Sequence, residues 1–452
     1  MSRMMTPADA VWIRGDSPTN QVVISAVLWF DTSPDPARLR AILEERLLER
    51  HPVFGQRVMP AHLPMTMPRW EDDPDFSMDH HLEVATLPEP GDHALLQQRC
   101  SEERSRPLDP DRPLWLATLH QGYRGDGAAL HVRIHHSLGD GLALMQLLLM
   151  LVDELDGTAS PLSDPLPLHT LTRQLARRTV DRATHLARHP GASAGLLRDA
   201  ADTLAWSGRL LRPTEAPRSI LQGRPGGTKR MAWSPEGLPV EILKDTAHEH
   251  GVTVNDLLLA IMAGGLRRHL IEHDAMVDEV LVVVPVNLRP PGQPLPRHLG
   301  NCIGLLPVLL PVGSLDPEHR LALVHERTQR LKSSRAPVVS RALLVGTTLV
   351  TPGVERAIHR LNQRYSTGVV TNVIGPDLEL HLAGARVRGA IGWGGVTGNL
   401  NLGAGFISLG GRVFPGLVTD EAITPDPGRV LRHIEDEWTE VLGTGTGERS
   451  RT

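Results

Sequence analysis

Residues 135–141 read His-His-Ser-Leu-Gly-Asp-Gly, two adjacent imidazoles followed after three residues by a carboxylate and a glycine. Imidazole titrates near neutral pH, so a positioned histidine can take a proton from an alcohol and return it to a leaving group. Neighbouring residues on a strand face opposite ways, so one ring can enter a cavity while the other enters supporting structure. Only one of His135 and His136 can then act as the base. Asp140 is placed to fix the loop, by pairing with an arginine or by capping the helix that follows. Two plainer meanings stand beside this one. A strand-end His-His pair with a capping aspartate is common without any chemistry, and two histidines with a carboxylate can hold iron or zinc. Adjacent histidines seldom converge on one ion, so no metal is expected here.

The elements that would position these residues show in the hydrophobic period. From Ala129 to Ile134 the apolar Leu130, Val132 and Ile134 alternate with His131 and Arg133, the pattern of a half-buried strand. From Leu142 through Met145, Leu148, Leu149, Val152 and Leu155 the spacing becomes three to four, an amphipathic helix. The seven residues lie at that junction. Elsewhere strands are expected over 20–30, 114–120 and 279–288, and helices over 35–50, 254–266 and 316–332. Short runs rich in Gly, Val and Leu from 369 to 420 predict several strands and tight turns. Both halves therefore read as mixed α/β (α+β).

A chain of 452 residues exceeds what one hydrophobic core usually organises, which predicts two domains. The heptapeptide falls in a first half, 1–164, and a second half spans 231–452. Between them, 165–230 is broken by prolines at 165, 167, 190, 213, 217 and 225 and carries a net charge of +8, leaving −13 on the rest. The overall balance of −5, from 47 basic and 52 acidic residues, argues against nucleic acid as a partner, since phosphate neutralisation needs a basic excess. Cys100 and Cys302, the only thiols, have neither zinc-site spacing nor the density of a disulfide scaffold. Residues 1–20 lack a secretory pattern, and no run reaches the roughly 18 to 20 apolar residues of a spanning helix, so a cytoplasmic location is expected.

Further blocks accompany the heptapeptide in order: residues 5–30, His51-Pro52-Val53-Phe54 with Arg57, Pro113-Leu114-Trp115, Asn255-Asp256, Pro285-Val286-Asn287-Leu288-Arg289, Gly300-Asn301 and residues 371–376. With them the chain resembles, over almost its whole length, the HHxxxDG acyltransferases, specifically the bacterial wax ester synthase/diacylglycerol acyltransferase family. The resemblance implies two chloramphenicol-acetyltransferase-like halves with a channel at their interface. It implies transfer of a fatty acyl group from acyl-CoA, as co-substrate and without a cofactor, to a hydroxyl acceptor. A long-chain alcohol or diacylglycerol would give wax esters or triacylglycerols by direct attack in a ternary complex. His136 would be the general base and His135 its support, Asp140 would pair structurally with Arg289, and Gly141 would leave room for substrate.

Asn255, Asn301, Thr371 and Asn372 are candidates for substrate or oxyanion contacts. Asparagines at turns are commonly structural, and Asn255-Asp256 can equally be a helix cap. Pro113-Leu114-Trp115 is expected to pack a strand start. Two departures from the family pattern bear on acceptor choice: Ile374 within Asn-Val-Ile-Gly-Pro, and Leu409 after Ser408. The basic connection could lie on an anionic membrane or lipid droplet, or be a solvated linker. Other readings remain open: a condensation-type enzyme with a carrier-protein thioester donor, a His-x4-Asp acyltransferase with His135 as base, and an inactive lipid-binding relative.

Overall fold

The computed structural model describes residues 2–17, 19–61, 66–153, 205, 208, 216–289, 298–349, 365–396 and 400–443. The arginines at 173–212 of the basic connection, and any surface they make, lie outside the described residues. In the first half, β1 (Ser2–Met4) and α1 (Pro7–Arg14) precede β2 (Val23–Phe30), α2 (Pro36–Ile42), β3 (Gln56–Met59), β4 (Arg69–Asp72) and β5 (Leu82–Thr86). Then follow α3 (His93–Ser105), β6 (Trp115–Tyr123), β7 (Gly127–His135) and α4 (Gly141–Leu151). Beyond the connection come β8 (Lys229–Trp233), β9 (Leu238–Pro239), α5 (Val240–Glu249), α6 (Val254–Glu272), β10 (Val280–Asn287) and β11 (Ile303–Leu310). The chain continues with α7 (Pro317–Lys332), α8 (Ala336–Gly346), β12 (Ser366–Ile374), β13 (Leu380–Leu382), β14 (Ala385–Trp393), β15 (Leu402–Leu409), β16 (Arg412–Asp420) and α9 (Pro427–Leu442).

Two large mixed sheets result, so the α/β reading holds. The first runs β13-β14-β2-β7-β6-β5 and the second β11-β10-β12-β15-β16-β8, with β9 pairing β16. Within the second, β12 is parallel to both β10 and β15. A small sheet of β1, β4 and β3 stands apart. One boundary drawn on the sequence is corrected. Residues 380–393, expected within the second half, extend the first sheet: β14 runs antiparallel to β2, with Trp393 opposite Ser25 and Ala390 opposite Leu28. The reason is that β2, Val-Ile-Ser-Ala-Val-Leu-Trp-Phe, is buried on both faces, and its backbone edge needs a partner once water is excluded. The second sheet likewise takes β8, which begins inside the stretch assigned to the connection and pairs with β16.

The half-buried expectation for β7 is also corrected, since all but Val132 of its nine residues are buried. Helix α3 covers the polar side. His131 Nδ1 lies 2.6 Å from the Glu103 carboxylate, and Arg133 donates to the Glu103 and Arg106 carbonyls at 2.5 and 2.8 Å. Alternation identified the strand correctly but could not show that its polar side chains would be satisfied internally rather than by water. In the second half, α9 turns Val430, Leu431, Ile434 and Trp438 onto α6, the spacing of one helix face. Gly264 and Gly265 allow the close approach, because a β-carbon at Gly265 would sit 2.8 Å from Ile434 Cα. No helix among the described residues is long and apolar enough to cross a membrane.

Candidate active site

β7 stops at His135 because the chain turns there: Leu138 N–H bonds the His135 carbonyl at 3.0 Å while His136 N–H still reaches the carbonyl of Val22, just before β2, at 2.8 Å. The two rings part as strand geometry requires. His135 is fully buried, with Nε2 3.1 Å from each oxygen of Asp16 and Nδ1 accepting from Ser137 N–H at 3.2 Å. Both nitrogens are thereby committed. Asp16 is in turn fixed by Val22 N–H at 2.8 Å.

His136 faces the other way and lines a cavity. Its Nδ1 lies 3.0 Å from Asn301 Oδ1. The amide orientation follows from its other bonds, since Asn301 Nδ2 donates to Asp9 Oδ1 at 3.0 Å and to the His136 carbonyl at 2.9 Å. Oδ1 is therefore an acceptor, Nδ1 of His136 carries the proton, and Nε2 keeps its lone pair. Asp9 also accepts from Asn301 N–H at 3.1 Å and from the Thr6 hydroxyl at 2.6 Å. Burial raises the Asp9 carboxyl pKa against these hydrogen bonds. The Trp12 indole stacks on His136, with ring centroids 3.9 Å apart and planes at 17°. Burial pulls the His136 imidazole down to about 4, so the ring is neutral at physiological pH, while the Asp140 charge opposes that shift.

Asp140 caps α4, accepting from Ala143 N–H at 3.0 Å. The same carboxylate receives Arg289 Nη1 at 2.7 Å and Cys302 N–H at 2.8 Å. Arg289 also donates to the Gly300 carbonyl at 2.5 Å, and Gly139 bridges Gly300. The loop of the first half is thus tied to the end of β10 and the start of β11. Gly300 adopts φ +101°, a conformation costly for residues with a β-carbon. Gly141 opens α4 on the cavity wall, where an added methyl would meet only Val373 Cγ2, at 3.9 Å.

The cavity measures about 1460 Å³ and is shared by the two sheets. Ala26 and Val132 line it from the first sheet, Val283 and Val369 from the second, and Leu144 and Leu148 from α4. Of the four predicted polar contacts, Thr371 and Asn372 of β12 reach this wall. The Thr371 hydroxyl is buried without a hydrogen-bond partner, beside Gly394, whose added β-carbon would lie 3.2 Å from it. At the next residue, a β-carbon on Gly395 would lie 3.4 Å from His136 Cδ2.

The other two expectations are corrected. Asn301 has no donor to spare for an oxyanion, because its amide holds His136 and Asp9. Asn255 lies in the first turn of α6, off the cavity wall. Its neighbour Asp256 explains that block: a capping box with Thr253, and bonds from Thr328 Oγ1 at 2.6 Å and His325 Nδ1 at 2.9 Å, join α6 to α7. Trp115 packs the start of β6, donating its indole N–H to the Phe54 carbonyl at 2.8 Å, although it also touches the cavity. Asp9, Trp12 and Asp16 carried no assigned role in the sequence. Their signal was an acidic residue and an aromatic one three apart on a short helix, within the resembling stretch 5–30.

A neutral imidazole with one free nitrogen thus stands against an aliphatic cavity, an arrangement able to take a proton from a nucleophile. Residues 5–258 match the wax ester synthase/diacylglycerol acyltransferase catalytic domain, and residues 299–441 match the C-terminal domain of the same enzymes. The chain belongs to that family and is an acyltransferase. It is 28% identical over 391 residues to a Mycobacterium tuberculosis protein named "Probable diacyglycerol O-acyltransferase tgs1", spanning 85% of this chain and 83% of that one. A second chain of that organism, with the same activity in its name, is 28% identical over 97% of this chain and 99% of its own. Among solved structures, the wax ester synthase/diacylglycerol acyltransferase of Marinobacter aquaeolei VT8 superposes with a TM-score of 0.66 at 21% identity, covering 97% of this chain and 98% of that one. The first condensation domain of the calcium-dependent antibiotic synthetase shares the fold, with a TM-score of 0.63 at 17% identity over 99% and 98% of the two chains.

Proposed function

We propose that this enzyme moves a fatty acyl group from acyl-CoA to the hydroxyl of a long-chain alcohol or diacylglycerol, with His136 as general base. The observation that carries the proposal is the His136 ring, fixed through Nδ1 by Asn301 at the wall of a largely aliphatic cavity. Nε2 takes the acceptor hydroxyl proton as the oxygen attacks the thioester carbonyl. The tetrahedral intermediate then collapses, the C–S bond breaks, and the imidazolium returns the proton to the CoA sulfur. No covalent enzyme intermediate is needed, because holding both substrates together supplies several kcal/mol. Thr371, with a buried and unpartnered hydroxyl on the same wall, is the donor best suited to the oxyanion, with Asn372 beside it. The reaction so written uses no resident cofactor or metal.

Thiol release from acyl-CoA in the presence of hexadecanol or diacylglycerol tests the assignment. His136→Ala is expected to lower kcat by about 10²–10⁴-fold, the usual worth of a general base. His135→Ala, which only unties Asp16 and Ser137, is expected to retain partial turnover in a folded protein. The reverse ranking would make His135 the base. Replacing acyl-CoA by an acyl-carrier protein in the same assay separates the condensation-type reading.

We further infer that the arginine-rich stretch 165–230 contacts anionic membrane or lipid-droplet surfaces, a reading supported by its net charge of +8 within a chain of net −5. Neutralising Arg173, Arg177, Arg178 and Arg182 is then expected to weaken sedimentation with anionic vesicles. Unchanged sedimentation would leave a solvated linker.

A further inference from the structure

Away from the cavity, the last turn of α6 carries His269 and Glu272, and His273 caps it, Glu272 and His273 standing three and four residues beyond His269. Each offers one ligand atom, and these atoms lie within 4.8 Å of one another. The first turns of α9 bring a third imidazole, His433, whose Nε2 is 2.8 Å from the Glu272 carboxylate. The His269 ring centroid is 4.4 Å from that of His273 and 6.2 Å from that of His433. His269 is only 7% exposed, yet its Nδ1 is buried without a hydrogen-bond partner. His273 uses Nδ1 on the His269 carbonyl at 2.9 Å, which leaves Nε2 available.

We propose that the α6–α9 junction binds a divalent transition-metal ion of the zinc type, ligated by His269, Glu272 and His273, with His433 completing the set. Imidazole and carboxylate suit such ions, and zinc takes four of these ligands in tetrahedral sites. Ligand atoms around tetrahedral zinc stand about 3.4 Å apart, so small side-chain rotations close the present spacing. The helix terminus adds attraction, because the last carbonyls of α6 present the negative end of its dipole. Both Glu272 oxygens already accept from Arg429, Oε2 from Nε at 3.1 Å and Oε1 from Nη2, and Oε2 also faces His433. An ion would use a remaining carboxylate lone pair and displace His433 from hydrogen bond to ligand. None of these residues lines the cavity, so the ion would staple α6 to α9 and take no part in acyl transfer.

The test uses the untagged full chain, freed of metal with EDTA and then of chelator. Titration calorimetry with zinc chloride is expected to show one tight site per chain and a raised thermal midpoint. Cobalt(II) at the same site is expected to give the visible absorption bands of tetrahedral ligation. His273→Gln, at an exposed side chain away from the cavity, is expected to weaken zinc binding at least tenfold with acyl transfer unchanged. The pair His269→Ala/His273→Ala should abolish both the cobalt bands and the thermal shift. With 22 histidines in the chain, zinc binding that survives undiminished in His273→Gln lies elsewhere and overturns the proposal. Absence of saturable binding overturns it equally.

Discussion

At residue scale, the division of labour between two adjacent histidines follows from which nitrogens remain free. His135 spends Nε2 on Asp16 and Nδ1 on the Ser137 amide, whereas His136 spends only Nδ1, on Asn301. The free Nε2 is useful as a base only while the ring is neutral. Burial has moved its pKa from the ordinary value near 6.5 down to about 4. The acidic limb of the kcat/KM profile is therefore expected near pH 4, with activity maintained at pH 5.5, where an unperturbed histidine would be mostly protonated. A limb at pH 6.5 would show that His136 is not the titrating base. The same shift acts on stability. The unfolded chain protonates this histidine below about pH 6.5 while the native protein resists until about pH 4, so its contribution destabilises the fold progressively as pH falls through that window. Asn301 shows how a residue can be correctly singled out and its task misjudged. Its place in Gly300-Asn301 marked it, but only its partners revealed that it orients the His136 ring.

At the scale of elements, the decisive joint is Asp140 with Arg289. Both side chains are nearly excluded from water, and the one carboxylate serves a helix cap, a guanidinium and a backbone amide of β11's approach. Removing one member strands the other's charge, which typically costs about 3–5 kcal/mol. Asp140→Ala and Arg289→Ala are each expected to lower stability by that order in chemical denaturation. The double variant should lose less than the sum of the two, because the stranded charge is then gone as well. Additive losses would mean that the pair is not coupled. The elements themselves were largely legible: strands near 20–30, 114–120 and 279–288 and helices near 254–266 and 316–332 all appear, with modest shifts at their ends. Hydrophobic period reports which face of a segment is buried, and that is a local property. It misjudged β7, whose polar side chains are buried under α3, because period cannot distinguish water from Glu103 as a partner.

At the scale of the whole molecule, the first half does not complete its own sheet. The first takes β13 and β14 from beyond β12, and the cavity wall is completed by residues of both sheets. Residues 1–164 expressed alone would leave the β2 edge unpaired and the cavity face open. That fragment is expected to be insoluble or to bind dyes for exposed apolar surface, while co-expression with 216–452 should restore a soluble complex with activity. A well-folded, dispersed two-dimensional NMR spectrum from the isolated fragment would count against this interdependence.

The amino-acid sequence by itself determined the heptapeptide at a strand-to-helix junction, the mixed α/β character and, through the ordered blocks, the family and with it the pairing candidate Arg289. These depend on local period, on residue chemistry and on linear order, all of which a chain carries before it folds. Tertiary structure alone decided that β14 belongs to the first sheet, that Asp9, Asn301 and Trp12 hold the His136 ring, that Asn255 stands off the cavity wall, and that three histidines meet at the α6–α9 junction. Three of those are contacts between segments far apart in the chain, 165 residues for His136 and Asn301, and such contacts exist only once the elements have packed.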